Sequence, residues 1–124
     1  MKLTKNFTRH EFDCNDGKIV PEKYMCNLRE LAQNLQFLRD ELGESVFVTG
    51  SGYRTSSHNK KVGGAKNSQH LTASGADINA KNKTPKELAD FIETLIKQGK
   101  MKQGGIGVYK GFVHYDIRGT KARW

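Results

Sequence analysis

The chain has 124 residues, and 21 Lys and Arg against 13 Asp and Glu give it a formal charge of +8. Hydrophobic residues make up 35% and charged residues 27%, enough apolar material for one modest core and too much order for a disordered tail. No run approaches the ~20 apolar residues that span a bilayer, and two cysteines exclude both a disulfide-dense scaffold and a four-thiolate zinc site.

A pI near 9.6 favours anionic partners such as nucleic acid, an anionic wall polymer or a membrane surface, without choosing among them. The first residues, Met1-Lys2-Leu3-Thr4-Lys5-Asn6, lack an apolar stretch and a small-residue cleavage site, so no secretory signal is expected there. Cys14 and Cys26 flank an Asp16-Gly17 turn signal and read as two partly buried free thiols or at most one local bridge. There is no internal repeat, low-complexity tract or Pro-rich linker, so residues 1–124 read as a single domain.

From Pro21, the residues Tyr24, Leu28, Leu31, Ala32, Leu35, Leu38 and Leu42 recur at helical spacing, which predicts an amphipathic helix ending at Gly43. Val46-Phe47-Val48-Thr49 predicts a short buried strand, broken by Gly50, Ser51 and Gly52. Thr55 to Ser74 has almost no apolar periodicity and is expected to be one long polar loop, of the kind that usually carries function. Ala76 to Ala80 alternates like a half-buried strand. Thr84-Pro85-Lys86-Glu87 is a capping box with Pro at the first helical position, opening a helix that buries Leu88, Ile92, Leu95 and Ile96 and stops at Gly99. Gly104 to Tyr109, a Lys110-Gly111 turn and Phe112 to Arg118 form a predicted hairpin. Its period of two puts Val113, Tyr115 and Ile117 on one face and Phe112, His114, Asp116 and Arg118 on the other. Together these elements predict an α+β fold, a small antiparallel sheet with helices packed on one face.

There are four histidines, His10, His58, His70 and His114. His70 in the polar loop and Asp77 on the next strand can face a common cleft, and His114 can supply a third donor. Two imidazoles and a carboxylate suit a catalytic zinc ion, which keeps its fourth position for water. By spacing alone the blander reading stands: His70 as a loop surface residue, Asp77 as a turn or capping carboxylate. The glycines Gly104, Gly105 and Gly107 precede a strand rather than a helix, so close backbone approach explains them better than a phosphate loop.

More specific wording runs through the chain in order: Ser51-Gly52-Tyr53-Arg54, His58-Asn59, Val62-Gly63-Gly64-Ala65, Ser68-Gln69-His70, Gly75-Ala76-Asp77-Ile78, Gly105-Ile106-Gly107-Val108-Tyr109 and Val113-His114-Tyr115-Asp116-Ile117-Arg118. From about Phe12 to Trp124 the chain resembles the zinc D-Ala-D-Ala carboxypeptidase family, whose superfamily includes lysostaphin-type enzymes and the zinc-bearing domain of sonic hedgehog. The resemblance implies a hedgehog/D-Ala-D-Ala-peptidase-like fold with one zinc ion on His70, Asp77 and His114. It also implies Arg54 on a substrate carboxylate or carbonyl, with Tyr53 and Ser68 beside it in substrate binding. Arg54 offers a rigid fork of donors matched to a carboxylate. Ser68 reads equally as substrate or ligand partner and as an ordinary loop hydroxyl.

Two departures stand out. The family usually carries Gly three residues after the first ligand His and Ala five after it, where this chain has Ala73 and Gly75. Many relatives also place an acidic general base three residues before the last ligand His, and here that residue is Gly111. Asp116, two residues beyond His114 on the same strand face, is the expected substitute as base and acid. Two other readings stay open for it: orienting His114, or exchanging roles with it. His58 and His10 rank lower as candidate bases.

The resemblance thus implies a zinc-dependent peptidase, carboxypeptidase or endopeptidase, acting on peptidoglycan stem peptides at the cell wall or periplasm. A phage lysin or a module of a longer protein fits equally. The expected partners are peptidoglycan peptides, with no nucleic acid, no membrane insertion and a monomeric state. The alternative is a non-catalytic zinc-bearing peptidoglycan-binding module, supported by Gly111. A basic nucleic-acid binder or metal nuclease rests only on charge and on His58-Asn59.

Overall fold

The computed structural model describes residues 2–124; Met1, which opens the segment read for a secretory signal, lies outside them. A 3₁₀ turn at Glu22–Tyr24 leads into helix α1, Met25–Leu42, which buries Leu28, Leu31, Ala32, Leu35 and Leu38. Gly43 ends it in the left-handed conformation (φ 69°), where its N–H donates to the Arg39 carbonyl. Strand β1, Val46–Val48, follows, and then helix α2, Ser56–Lys61. The expected polar loop is therefore interrupted twice, by α2 and by a 3₁₀ turn at Gln69–Thr72. Both are started by side-chain caps, Thr55 accepting from the His58 N–H and Ser68 from the His70 N–H, rather than by an apolar stripe.

Strand β2 is Gly75–Ala80 and helix α3 is Pro85–Lys97, opened by the predicted capping box, with Thr84 accepting from the Glu87 N–H and the Glu87 carboxylate accepting from the Thr84 N–H. The hairpin comprises β3, Gly105–Val108, and β4, Val113–Asp116; β5, Ala122–Arg123, closes the set. The five strands form one sheet in the order β1-β2-β4-β3-β5. The pairs β1–β2, β2–β4 and β3–β4 are antiparallel, but β5 lies parallel to β3, so the sheet is mixed where an antiparallel one was expected.

Register decides the rest. Ala76 pairs with Tyr115 and Ile78 with Val113, and these four fully buried side chains face the core with α3. In the same pairing Asp77 sits directly across from His114, and Gly75 from Asp116, on the opposite face. Directly opposed antiparallel residues bring their Cβ atoms within about 5.5 Å, so the β2–β4 register alone delivers a carboxylate and an imidazole to one spot.

Glycines make the neighbouring backbone approach possible. A Cβ on Gly104 would run into the Asp116 backbone carbonyl, and one on Gly105 into the Asp116 carboxylate. Gly104→Ala is accordingly expected to cost at least ~1–3 kcal/mol as overpacking with nowhere to relax. Urea unfolding checks this; a midpoint equal to wild type contradicts it.

Cys14 and Cys26 are unpaired, the first buried and the second exposed. No helix among the described residues is long and apolar enough to cross a membrane.

Candidate metal centre

Three elements converge on the polar face of the sheet. The 3₁₀ turn capped by Ser68 supplies His70, β2 supplies Asp77 and β4 supplies His114; all three are buried. His70 Nε2 lies 3.3 Å from Asp77 Oδ1, His114 Nδ1 lies 3.4 Å from the same oxygen, and the two ring nitrogens are 3.3 Å apart.

The outer partners of these rings fix their tautomers. His70 Nδ1 is 2.7 Å from the Gly52 carbonyl oxygen, which only accepts, so Nδ1 carries the hydrogen and Nε2 presents a lone pair. His114 Nε2 is 2.7 Å from Asp116 Oδ2, another pure acceptor while ionised, so His114 Nδ1 likewise presents a lone pair. Two nitrogen lone pairs and a carboxylate oxygen thus face one another at 3.3–3.4 Å. That arrangement is repulsive unless a cation, or at least a proton, sits among them. The donor set fits zinc, with each imidazole backed by an acceptor as metal-binding histidines are.

In the metal-free protein a proton takes the cation's place, and the charge states follow. Burial opposes charging His114, but hydrogen bonding to Asp116 and Asp77 outweighs it and raises its pKa. Burial by itself pushes the Asp77 carboxyl up, yet hydrogen bonds from His114 and His70 hold it well below the usual carboxylate range. Asp116 is likewise buried and is pulled down by His114, Arg118 and the Gly105 N–H. The depressed carboxylates lend stability above their unfolded pKa of ~3.9 that is lost as pH falls; the raised histidine lends stability below ~6.5 that is lost as pH rises through its folded value. The metal-free protein should therefore be most stable between ~4 and ~6.5, and zinc should remove the loss on the alkaline side. Melting temperature against pH, with and without zinc, measures both; a metal-free protein that gains stability above neutrality contradicts the assignment.

The centre opens into a cleft of about 670 Å³ whose lining includes Arg54, Lys66, Ser68, Tyr109, Arg118 and Trp124. Among the described residues, Asp77 is the only acidic side chain in that lining. Arg54 is pinned in place: Nε donates to Ser51 Oγ at 3.0 Å, Nη1 to Asn59 Oδ1 at 3.1 Å, and Nη2 lies 3.7 Å from Asp77 Oδ2. Ser68 lines the cleft, and its hydroxyl also caps the turn bearing His70.

Two of the expected site residues lie away from the cleft surface. Tyr53 is buried against Tyr24, with ring centroids 6.1 Å apart, and does not line the cleft; Arg54, one residue on, is turned toward it. Asp116 is fully buried on the far side of the His114 ring from the three ligand atoms. Its oxygens accept from His114 Nε2, the Gly105 N–H, the Arg118 N–H and the Arg118 guanidinium, which leaves none facing the cleft. Its one contact with the centre is the bond to the outer nitrogen of His114. His58 on α2 and the exposed His10 stand outside the cleft lining as well.

Several cleft residues carry no signal in a sequence reading. Trp124 packs 5.1 Å from the His114 ring, in space that a side chain on Gly107 would fill, and its indole N–H donates to the Tyr109 hydroxyl at 2.7 Å. Of the departure at Ala73 and Gly75, the structure explains the glycine and not the alanine. Ala73 adopts φ 57°, a left-handed position that glycine would occupy more cheaply, while a Cβ on Gly75 would lie 2.9 Å from His114 Cε1.

An α+β fold whose sheet and capped turn present two imidazoles and one carboxylate to an open cleft offers a donor set that could hold one metal ion, as hydrolase centres do. The peptidase M15 family model matches residues 5–116, and the chain belongs to that family. Over 80 residues it is 32% identical to a zinc D-Ala-D-Ala carboxypeptidase from Streptomyces albus G, a match that covers 60% of this chain and 31% of that relative. The chain thus aligns with less than a third of that relative's length.

Proposed function

We propose that the protein is a zinc peptidase that hydrolyses peptidoglycan stem peptides, as a D-Ala-D-Ala carboxypeptidase or as an endopeptidase. The observation that carries the reading is the convergence of three lone-pair donors, His70 Nε2, Asp77 Oδ1 and His114 Nδ1, at the edge of a cleft with three cationic side chains. His70, Asp77 and His114 would hold the ion. Zinc, when bound, supplies a Lewis acid that polarises a peptide carbonyl and lowers the pKa of water from 15.7 toward ~7.

The chain's own residues do the rest. Asp116 keeps the His114 Nε2–H in place and so aims Nδ1 at the centre; the Gly52 carbonyl does the same for His70. Arg54, Lys66 and Arg118 give the cleft a positive lining suited to the carboxylates of a stem peptide. Arg54 has its Nε and Nη1 already bonded, so it meets substrate as a pre-aimed donor instead of a mobile chain. Arg54→Lys is expected to raise KM by ~10–100-fold, the loss of a charge-assisted hydrogen bond, while zinc content stays at the wild-type level. An unchanged KM removes Arg54 from substrate binding. The overall charge of +8 favours residence near anionic envelope polymers, at the cell wall or periplasm.

A second reading has one observation in its favour. With Gly111 in place of an acid and Asp116 turned away, the described residues give the cleft no acidic side chain besides Asp77, as expected of a non-catalytic zinc-bearing peptidoglycan-binding module. Incubation of the zinc-loaded protein with purified peptidoglycan separates the two. New amino groups support the peptidase, with released D-Ala marking a carboxypeptidase and internal cleavage an endopeptidase. Retained zinc and bound peptidoglycan without any new amine overturn it in favour of the binding module.

A further inference from the structure

We infer a second divalent-metal site, distinct from the cleft, formed by Cys14, Asp16 and His58. Their ligand atoms lie within 4.8 Å of one another, and none of the three lines the cleft. Cys14 is buried, Asp16 exposed and His58 half-buried, so an ion has solvent access on one side and protein on the other.

The backbone holds these groups in place independently of any ion. The Cys14 N–H donates to the Lys18 carbonyl and the Gly17 N–H to the Cys14 carbonyl, both at 2.9 Å, closing a tight turn in which Gly17 takes φ 91°. Asp16 Oδ1 accepts from the Lys18 N–H at 2.9 Å and Oδ2 from Thr55 Oγ1 at 2.8 Å. Thr55 Oγ1 in turn accepts from the His58 N–H at 3.1 Å. One chain of hydrogen bonds therefore ties the two loop ligands to the helical one, and each Asp16 oxygen retains a lone pair.

Chemistry selects the kind of ion. A thiolate, a carboxylate and a neutral imidazole carry two negative charges, which a divalent cation neutralises. Sulfur and imidazole donors favour zinc or cobalt over magnesium or calcium, and three protein ligands plus a water complete a tetrahedron. Binding releases the Cys14 thiol proton to solvent as sulfur bonds to the ion.

The consequence lies one residue further on. Asn59, beside His58, is buried, accepts from Arg54 Nη1 and donates to the Ala65 carbonyl at 2.9 Å. An ion here staples the N-terminal loop to α2 and so braces the helix that holds Arg54.

Cobalt(II) is the probe, because the His70, Asp77 and His114 set contains no sulfur. Titrated into the whole chain carrying Cys26→Ser, cobalt should fill two sites and give a thiolate-to-cobalt charge-transfer band. Cys14→Ser should abolish the band and one equivalent of metal. Asp16→Ala and His58→Ala, at partly exposed positions that leave the core intact, should each weaken the band-forming site by at least ~10-fold. His70→Ala should remove the other equivalent and leave the band, so failure at either centre shows separately. Absence of the band, or a band equally strong in Asp16→Ala and His58→Ala, overturns the second site.

Discussion

Asp116→Ala should unfold the protein more easily by ~3–5 kcal/mol, the usual cost of removing one member of a buried ionic network. It should also weaken zinc binding by ~10–100-fold, the usual cost of losing the group behind a ligand histidine. The carboxylate is fully buried and accepts from four groups, the His114 ring, the Gly105 N–H, the Arg118 N–H and the Arg118 guanidinium. With alanine there, buried donors lose their acceptor and His114 loses the bond that sets its tautomer. Asp116→Asn keeps the volume but turns an NH₂ group toward one of those donors, so it should fall between alanine and wild type. Urea unfolding combined with zinc titration reads both quantities. A variant with normal stability and zinc affinity but no activity would restore Asp116 to the role of base.

Replacing His70, Asp77 or His114 by alanine should have the larger effect on function. Each supplies one of three converging donors, so zinc affinity should drop beyond the ~10–100-fold typical of an outer partner, and peptidase activity should vanish with the ion. Stability of the metal-free protein should move differently. His70→Ala should cost least, His114→Ala also takes the ring partner from buried Asp116, and Asp77→Ala takes the acceptor from the Ser51 N–H and the neighbour from Arg54. Metal analysis beside thermal unfolding checks the set; three variants with unchanged zinc contradict it.

Much of this was legible in the sequence because local rules and tertiary packing agree there. The Thr84 to Glu87 capping box, the left-handed Gly43 after α1 and the period of two in β4 each have one physical outcome, and each is found. The ordered motifs also indicated that His70, Asp77 and His114 belong together, and the β2–β4 register and the Ser68-capped turn supply the means.

What was not legible depends on orientation or on backbone atoms. Period-two alternation puts Asp116 on the same face as His114, but cannot tell whether it meets the inner or the outer nitrogen of the ring. Tyr53 carries an aromatic ring that serves a core as well as a cleft, and packing against Tyr24 decided for the core. Helix α2, Ser-Ser-His-Asn-Lys-Lys, has no apolar stripe and is held by its Thr55 cap and by Asn59. Strand β5 has two residues, too short for any pattern, and its parallel pairing follows from the return of the chain beside β3. The Gly52 carbonyl that orients His70 is main chain, which no side-chain motif reveals.

Whether one zinc ion sits among two imidazoles and a carboxylate at the cleft is decided by zinc-edge X-ray absorption on the Cys14→Ser chain, in which the second site is disabled. The first shell should contain nitrogen and oxygen only, with the multiple-scattering signature of two imidazoles that falls to one in His70→Ala. Sulfur in that shell, or an imidazole signal unchanged by His70→Ala, would contradict it.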